Sequence, residues 1–366
     1  MTRTENWRLI DLGAPEPLIA QTLYEAVAEA VDRGISPNTL IMLQPGSPYV
    51  CVGYHQDVEK EVDLEYCKAK DLPVIRRSQG GGATYLDNDQ VFYQIVAKGS
   101  TVVPAGIDAM FERLLSVTVE TYRRLGVPAE FKPLNDVVAG GRKISGNGAG
   151  LQGSTTVLVG NIILDMDYDH MARVLRVPDE KFRDKMARSM RDWVTTLRRE
   201  LATAPTSERV REVYTATFQE LLGVKLTKSQ PTDEEWMIFN TETRPRHTSR
   251  EWLYMEAPYS SRRPGRAVKI AGDVKVVEVD HKAMKLIRVR AEVQGDTILD
   301  LRLTGDFFAL PKEAILLLER RLVGARIDEE RLTPIVEDFY CSSGAQIPGI
   351  EAGDFVSALM KIREYL

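Results

Sequence analysis

Arg76-Arg77-Ser78-Gln79-Gly80-Gly81-Gly82-Ala83-Thr84-Tyr85 is the densest run of chemistry-bearing residues in the sequence. It follows the strand-like stretch LPVIRR. Three consecutive glycines give up backbone entropy without offering a side chain to pack. What they permit is close approach of main-chain N–H groups to a ligand, commonly a phosphate or carboxylate. The neighbouring arginine pair can neutralise such an anion bidentately. A flexible turn with solvated arginines is the bland alternative, and a glycine triplet beside Arg-Arg favours function over it. The second run is Asn135-Asp136, followed by Gly141-Arg142-Lys143-Ile144-Ser145-Gly146. Asparagine can hydrogen-bond a ligand, and Asp136 can hold the hydrated Mg²⁺ that accompanies a nucleotide. Lys143, flanked by glycines, can reach a pocket as a compact positive charge. Among 48 basic residues a single lysine is ordinarily solvated, so only the surrounding motif singles it out.

Other matches fail. Gly148 to Gly153 fits GxGxxG, but STTVLVGNIIL follows and reads as strand, whereas the dinucleotide fingerprint must open a helix. Asp165, Asp167 and Asp169 mimic a calcium loop, yet its sixth position is His170 and its twelfth Arg176, so a strand end with solvated acids is expected. His55, His170, His247 and His281 lack zinc-like spacing with the cysteines and read as structural or exposed. Cys51 with His55 suggests a nucleophile and base, but a small apolar residue in a buried strand explains Cys51 better.

The elements that must position these residues mix strands and amphipathic helices. WRLIDLG, TLIMLQ, YVCVGY and LPVIRR read as strands. The stretch from Pro17 to Gly34, VDLEYCKAKD, and DAMFERLLSVTVETYRRLG read as helices. Gly140-Gly141 predicts a tight hairpin carrying Lys143. Asp179 to Glu242 reads as helical, with a capping box at Thr232 and Glu235. APYSSRRPGRA reads as an exposed linker, so the cut falls near residue 258. Strands AVKIAGDVKVVEVD and KLIRVRAEVQGDTILDLRLTGDFF follow, then a helix with Pro311 at its first position and Gly324 at its end. Strands followed by a helix indicate an α+β unit.

Length and charge bound the function. At 366 residues the chain suffices for two domains. A net charge of −5 argues against a dedicated nucleic-acid binder. No apolar run reaches the ~20 residues of a membrane span, and MTRTENWRLIDLG lacks a signal-peptide core. Three widely spaced cysteines suggest no disulfide framework, and the expected compartment is a reducing cytoplasm.

RRSQGGGATYLD and NDVVAGGRKISGNG, in that order and separation, resemble the lipoate–protein ligases of the biotin/lipoate ligase superfamily. The likeness extends to Gly53, Gln56 and Glu61, to GNIILD, to PDEKFRDK…VTTL, and to LRLTGDFFALPKEAILLLERRLVG, which is similar to the family's small accessory domain. The fold this implies is α+β: a mixed-sheet catalytic domain with packed helices over residues 1–257, and a smaller α+β accessory domain over 258–366. The activity it implies has two steps: lipoate and Mg-ATP give lipoyl-AMP, and a lysine of an apo lipoyl-carrier protein then takes the acyl group. Lys143 would be catalytic. Arg76, Arg77, Gln79, Gly80, Gly81, Gly82, Ala83, Asn135, Asp136, Gly146, Gly148 and Asn161 would bind the lipoyl-adenylate, with Gly80 to Gly82 walling the lipoyl tunnel and Asp136 holding Mg²⁺. The expected small-molecule partner is lipoate or octanoate; neither nucleic acid nor membrane is an expected partner.

The chain departs from the family pattern at Leu86-Asp87, Asp89-Gln90, Gln79 and Gly148. The related octanoyl or lipoyl transferases use no ATP and attack with a cysteine shortly before the lysine motif; AEFKPLNDVVAGG contains none. Biotin ligation is disfavoured because RRSQGGG lacks the arginine–glycine alternation of biotin ligases. A non-catalytic carrier-binding protein is disfavoured by Lys143 and the Asn135-Asp136 pair.

Overall fold

The apolar stretches become strands in the computed structural model, which describes residues 4–177, 180–256 and 274–366, with backbone alone for 180–182. The described chain divides into two units, each discontinuous in sequence. One comprises Met1–Cys51, Val62–Ile75 and Thr84–Thr248; the other comprises Val52–Glu61, Arg76–Ala83 and Ser249–Leu366. The expected linker and the cut near residue 258 lie outside the described residues. Among the described residues, no helix is long and apolar enough to cross a membrane.

In chain order the strands are β1 (Glu5–Asp11), β2 (Thr39–Leu43), β3 (Tyr49–Val52), β4 (Val74–Arg76), β5 (Thr84–Leu86), β6 (Gln90–Ala97), β7 (Ala129–Lys132), β8 (Asp136–Ala139), β9 (Arg142–Gln152), β10 (Thr155–Ile163) and β11 (Val224–Ser229). The first unit is built on an eight-stranded sheet of order β11-β1-β2-β6-β10-β9-β8-β7. Only β11-β1 and β1-β2 run parallel. Strand β6 is buried along its whole length because both faces of the sheet are covered. Its Gln94 donates to the Ala20 carbonyl of helix Pro17–Asp32. On the opposite face Tyr93 stacks on Tyr214 of helix Ser207–Leu222 and accepts from Thr118 of helix Ile107–Arg124.

Two expectations in this unit need correction. The stretch 179–242 is not all helical: Gly223, left-handed at φ 67°, ends a helix, and β11 then pairs with β1 as an edge strand. Its alternation of Val224 and Leu226 with lysines and Thr227 is the signal a helical reading passes over. The acids after β10 include the exposed Asp167 and Asp169, as expected, but they open a helix instead of ending a strand. Asp167 caps helix Tyr168–Val174, Asp165 pairs with Arg198, and Asp169 pairs with Arg191. The GxGxxG-like stretch lies in β9, and Gly153 (φ 57°) turns it into β10, so no helix follows.

In the second unit β12 (Val274–Lys282), β13 (Leu286–Gln294) and β14 (Thr297–Gly305) form an antiparallel sheet, with Gly295 turning at φ 57°. Ile287, Val289, Ala291 and Val293 alternate into a core shared with helices Ala314–Leu322, Glu329–Ser343 and Ala352–Met360. The first of these begins at Ala314, not Pro311, which lies in the preceding turn. Segment 52–61 belongs here: the His55 carbonyl accepts from Gly305 N, and Glu61 pairs with Arg288 at 2.5 Å.

Candidate active site

The hairpin forms as expected: Gly140 and Gly141 take φ angles of 54° and 77°, which a side chain would strain, and join β8 to β9. One feature of its ladder was not expected. Val138 pairs with Lys143 but Val137 with Ser145, so Ile144 is an extra residue, a β-bulge. In an unbroken strand, Lys143 and Gly146 would face opposite sides. The bulge puts them on one side, and Asp136, the cross-strand partner of Gly146, shares that face. The Lys143 ammonium consequently lies 2.6 Å from Asp136 Oδ1. A Cβ placed on Gly146 would sit 3.9 Å from that ammonium, so glycine leaves the charge uncovered. Both side chains keep about a third of their surface open, at 40% for Lys143 and 32% for Asp136. The pair can exchange its mutual contact for an incoming anion or cation.

The surrounding residues hold this arrangement. Asn161 Oδ1 accepts from Gly146 N at 2.8 Å, while its Nδ2 donates to Gln90 Oε1 at 2.7 Å. Both ends of the Asn161 amide are thus engaged in fixing the strand. Asn135 and Asn147 bond reciprocally, each amide donating to the other's carbonyl, and Asn147 Oδ1 also accepts from the Tyr93 hydroxyl. Gly148 lies further along β9, opposite Val159. Gln90 and Asn147 were missed as candidates. The signal for Gln90 was the departure Asp89-Gln90 itself.

Asp87 stands next to this network. Burial pushes its carboxyl up to about 6, against a bond from Asp89 N. An unfolded aspartate releases its proton near pH ~4, so the folded chain holds the proton longer. Stability therefore falls as pH rises from about 4 to about 6, and the full cost, on the order of 3 kcal/mol, persists above that. Asp87→Asn is expected to raise the melting temperature at pH 7 and to flatten its slope between pH 4 and 6. Parallel melting profiles for the two proteins would exclude this assignment.

The glycine loop differs from its expected form. Arg76 is wholly buried. Its guanidinium donates to the carbonyls of Gly53, Tyr54, Gln56, Trp252 and Leu253 instead of standing ready for an anion. Arg77 donates to the carbonyls of Gly80 and Gly82. Gly81 N, expected to face a ligand, donates to the Phe307 carbonyl at 3.0 Å. Chain packing requires glycine at two positions: a Cβ on Gly80 would lie 2.4 Å from Phe307 O, and one on Gly53 would lie 1.9 Å from Gly81 O, whereas one on Gly82 would meet nothing within 4 Å. Gln79 is buried, with its carbonyl accepting from Tyr54 N; Gly82 is exposed and Ala83 half-buried. All of these belong to the second unit, whereas Asn135, Asp136, Lys143, Gly146, Gly148 and Asn161 belong to the first.

Residues 16–219 match the lipoyl protein ligase A/B catalytic domain family. The chain belongs to this family. It is an enzyme of the lipoate ligase and transferase superfamily, as the paired motifs implied. An octanoyltransferase LipM of Kyrpidia tusciae is 29% identical over 254 residues, covering 63% of this chain and 92% of that protein. A lipoate–protein ligase of Streptococcus pyogenes is 27% identical over 317 residues, covering 83% of this chain and 87% of that protein. Among solved structures, a bi-partite lipoate protein ligase from Thermoplasma acidophilum superposes with a TM-score of 0.61 at 27% identity, covering 69% of this chain and 98% of that one. The mixed α+β fold is therefore that of the biotin/lipoate ligase type.

Proposed function

We propose that this family member is an ATP-dependent lipoate–protein ligase that makes lipoyl-AMP and passes the lipoyl group to a lysine of an apo lipoyl-carrier protein. The observation that carries the reading is an ammonium at the hairpin with no cysteine in the stretch AEFKPLNDVVAGG that leads to it. Cys51 is buried in the sheet core. Cys67 is buried, and burial pushes its thiol up to about 11, which suppresses the thiolate. Cys341 lies on helix Glu329–Ser343 of the second unit. The Streptococcus ligase also matches more of the chain than the Kyrpidia transferase, 83% against 63%.

In this reading the lipoate carboxylate attacks the α-phosphate of ATP and pyrophosphate leaves; the carrier amine then attacks the acyl carbon and AMP leaves. Both steps gather negative charge, and Lys143 offsets it. Asp136, which balances the Lys143 charge otherwise, would hold Mg²⁺. One carboxylate, with no group of three metal-ligating side chains among the described residues, suits an ion carried mainly by nucleotide phosphates. Bound there, the ion would screen those phosphates. Asn135, Gly146, Gly148 and Asn161 are assigned to the adenylate. The loop Gln79–Ala83, with Arg76 and Arg77 holding its shape, is assigned to the lipoyl chain, on the strength of the resemblance. Residues 1–257 are assigned catalysis and 258–366 the accessory role. The three free cysteines fit a reducing cytoplasm.

The second reading, ATP-independent octanoyl transfer, is favoured by the LipM relatives. Mass spectrometry of an apo-carrier incubated with lipoate, with and without ATP, decides between them. Replacing Cys51, Cys67 and Cys341 together by Ser is expected to preserve ATP-dependent lipoylation. Loss of transfer in the folded triple variant, with an acyl-thioester on the parent, would establish the transferase.

A further inference from the structure

Lys143 sits where its strand loses its neighbour. Strand β10 pairs with β9 only as far as Gly160 opposite Asn147, so among the described residues no strand flanks 142–145 on that side. A second segment takes over. Val194 bridges to Lys143 in parallel fashion, and Thr195 N donates to the Lys143 carbonyl at 2.8 Å. Thr195 is fully buried, and its hydroxyl donates to Glu200 Oε1. That same oxygen accepts from Arg142, the residue before Lys143, at 2.7 Å. Glu200 closes the four-residue helix Leu197–Glu200, which Thr196 caps and which Arg198 N ties to the Leu164 carbonyl.

We propose that Glu200 is a positioning residue for Lys143, acting through Thr195 on one side and Arg142 on the other. The proposal rests on the reading of Lys143 as the charge that serves acyl activation. The chemistry requires it for a geometric reason. Lysine carries its ammonium on a flexible four-carbon stem, so a main chain free to fray would leave the charge without a fixed origin. Displacements of about 1 Å cost on the order of 10²-fold in rate. One carboxylate oxygen ties Arg142, the residue before Lys143, to Thr195, whose N–H holds the Lys143 carbonyl.

The test measures pyrophosphate release from ATP and lipoate, with melting temperature, in the full-length chain carrying Glu200→Ala, Glu200→Gln, Thr195→Val or Thr195→Ser. Each is made alone and together with Lys143→Ala. Glu200→Ala is expected to lower kcat roughly tenfold or more while KM for ATP stays within about twofold. Thr195→Val keeps the N–H to Lys143 but removes the hydroxyl, and should fall in the same direction. Glu200→Gln, which still accepts from Thr195, should lie between, and Thr195→Ser should restore most of the rate. In the Lys143→Ala background, Glu200→Ala should change nothing further. Full kcat in folded Glu200→Ala, or an equal loss in both backgrounds, overturns the clamp alone. Full activity of Lys143→Ala overturns the reading of Lys143 and the clamp with it. A wild-type chain that releases no pyrophosphate overturns the ligase reading, and the same comparison on octanoyl transfer to the carrier then decides the clamp.

Discussion

Lys143→Ala is expected to abolish carrier lipoylation while leaving the fold intact. The Lys143 side chain is 40% exposed and pairs with Asp136 at 2.6 Å, so its loss removes little packing. An exposed ion pair of this kind contributes at most about 1 kcal/mol to stability. Loss of one preorganised charge contact, by contrast, costs roughly 10²–10³ in rate. The first step should suffer most, because the α-phosphate gathers charge there. Pyrophosphate release and melting temperature, measured on the same preparation, check both halves. A folded variant that releases pyrophosphate near the wild-type rate would refute the role of Lys143.

Arg76→Met is expected to have the largest effect on stability. The buried guanidinium satisfies five main-chain carbonyls, and methionine keeps much of the volume while removing every donor. Buried acceptors left unsatisfied cost about 1–3 kcal/mol each before relaxation. A net loss of about 3–5 kcal/mol is therefore expected, a fall in Tm of roughly 10 °C. If the residue served a ligand anion instead, the variant would keep its Tm and lose affinity for ATP. Thermal unfolding beside nucleotide binding separates the two outcomes.

The local signals were legible where one residue's chemistry fixes one conformation. Gly140-Gly141 demanded a tight turn, Thr232 and Glu235 a capping box, and both are present. The Lys143 and Asp136 pairing was legible only as proximity in sequence. The bulge at Ile144 that joins them depends on how β8 and β9 register, which no local preference states. The glycine loop misled for a related reason. Close approach occurs at Gly80 alone of the three glycines, and its partners are Phe307 and Phe308, which nothing near residue 80 in the sequence announces. A cut at 258 would separate that loop from both. Strand β11 was hidden because parallel pairing with β1 joins residues more than two hundred positions apart.

The long reach of Arg76 has a consequence for biosynthesis. Its carbonyl partner Trp252 lies 176 residues further on. At translation rates of about 5–20 residues per second, roughly 10–35 s pass between the two emerging from the ribosome. During that interval Arg76 can reach the carbonyls of Gly53, Tyr54 and Gln56, but Trp252, Leu253 and Phe307, which complete its shell and press on the glycine loop, do not yet exist. Completion of the loop is thus an event of the finished chain. A ribosome stalled before residue 252 would hold a product whose sheet can form but whose glycine loop cannot.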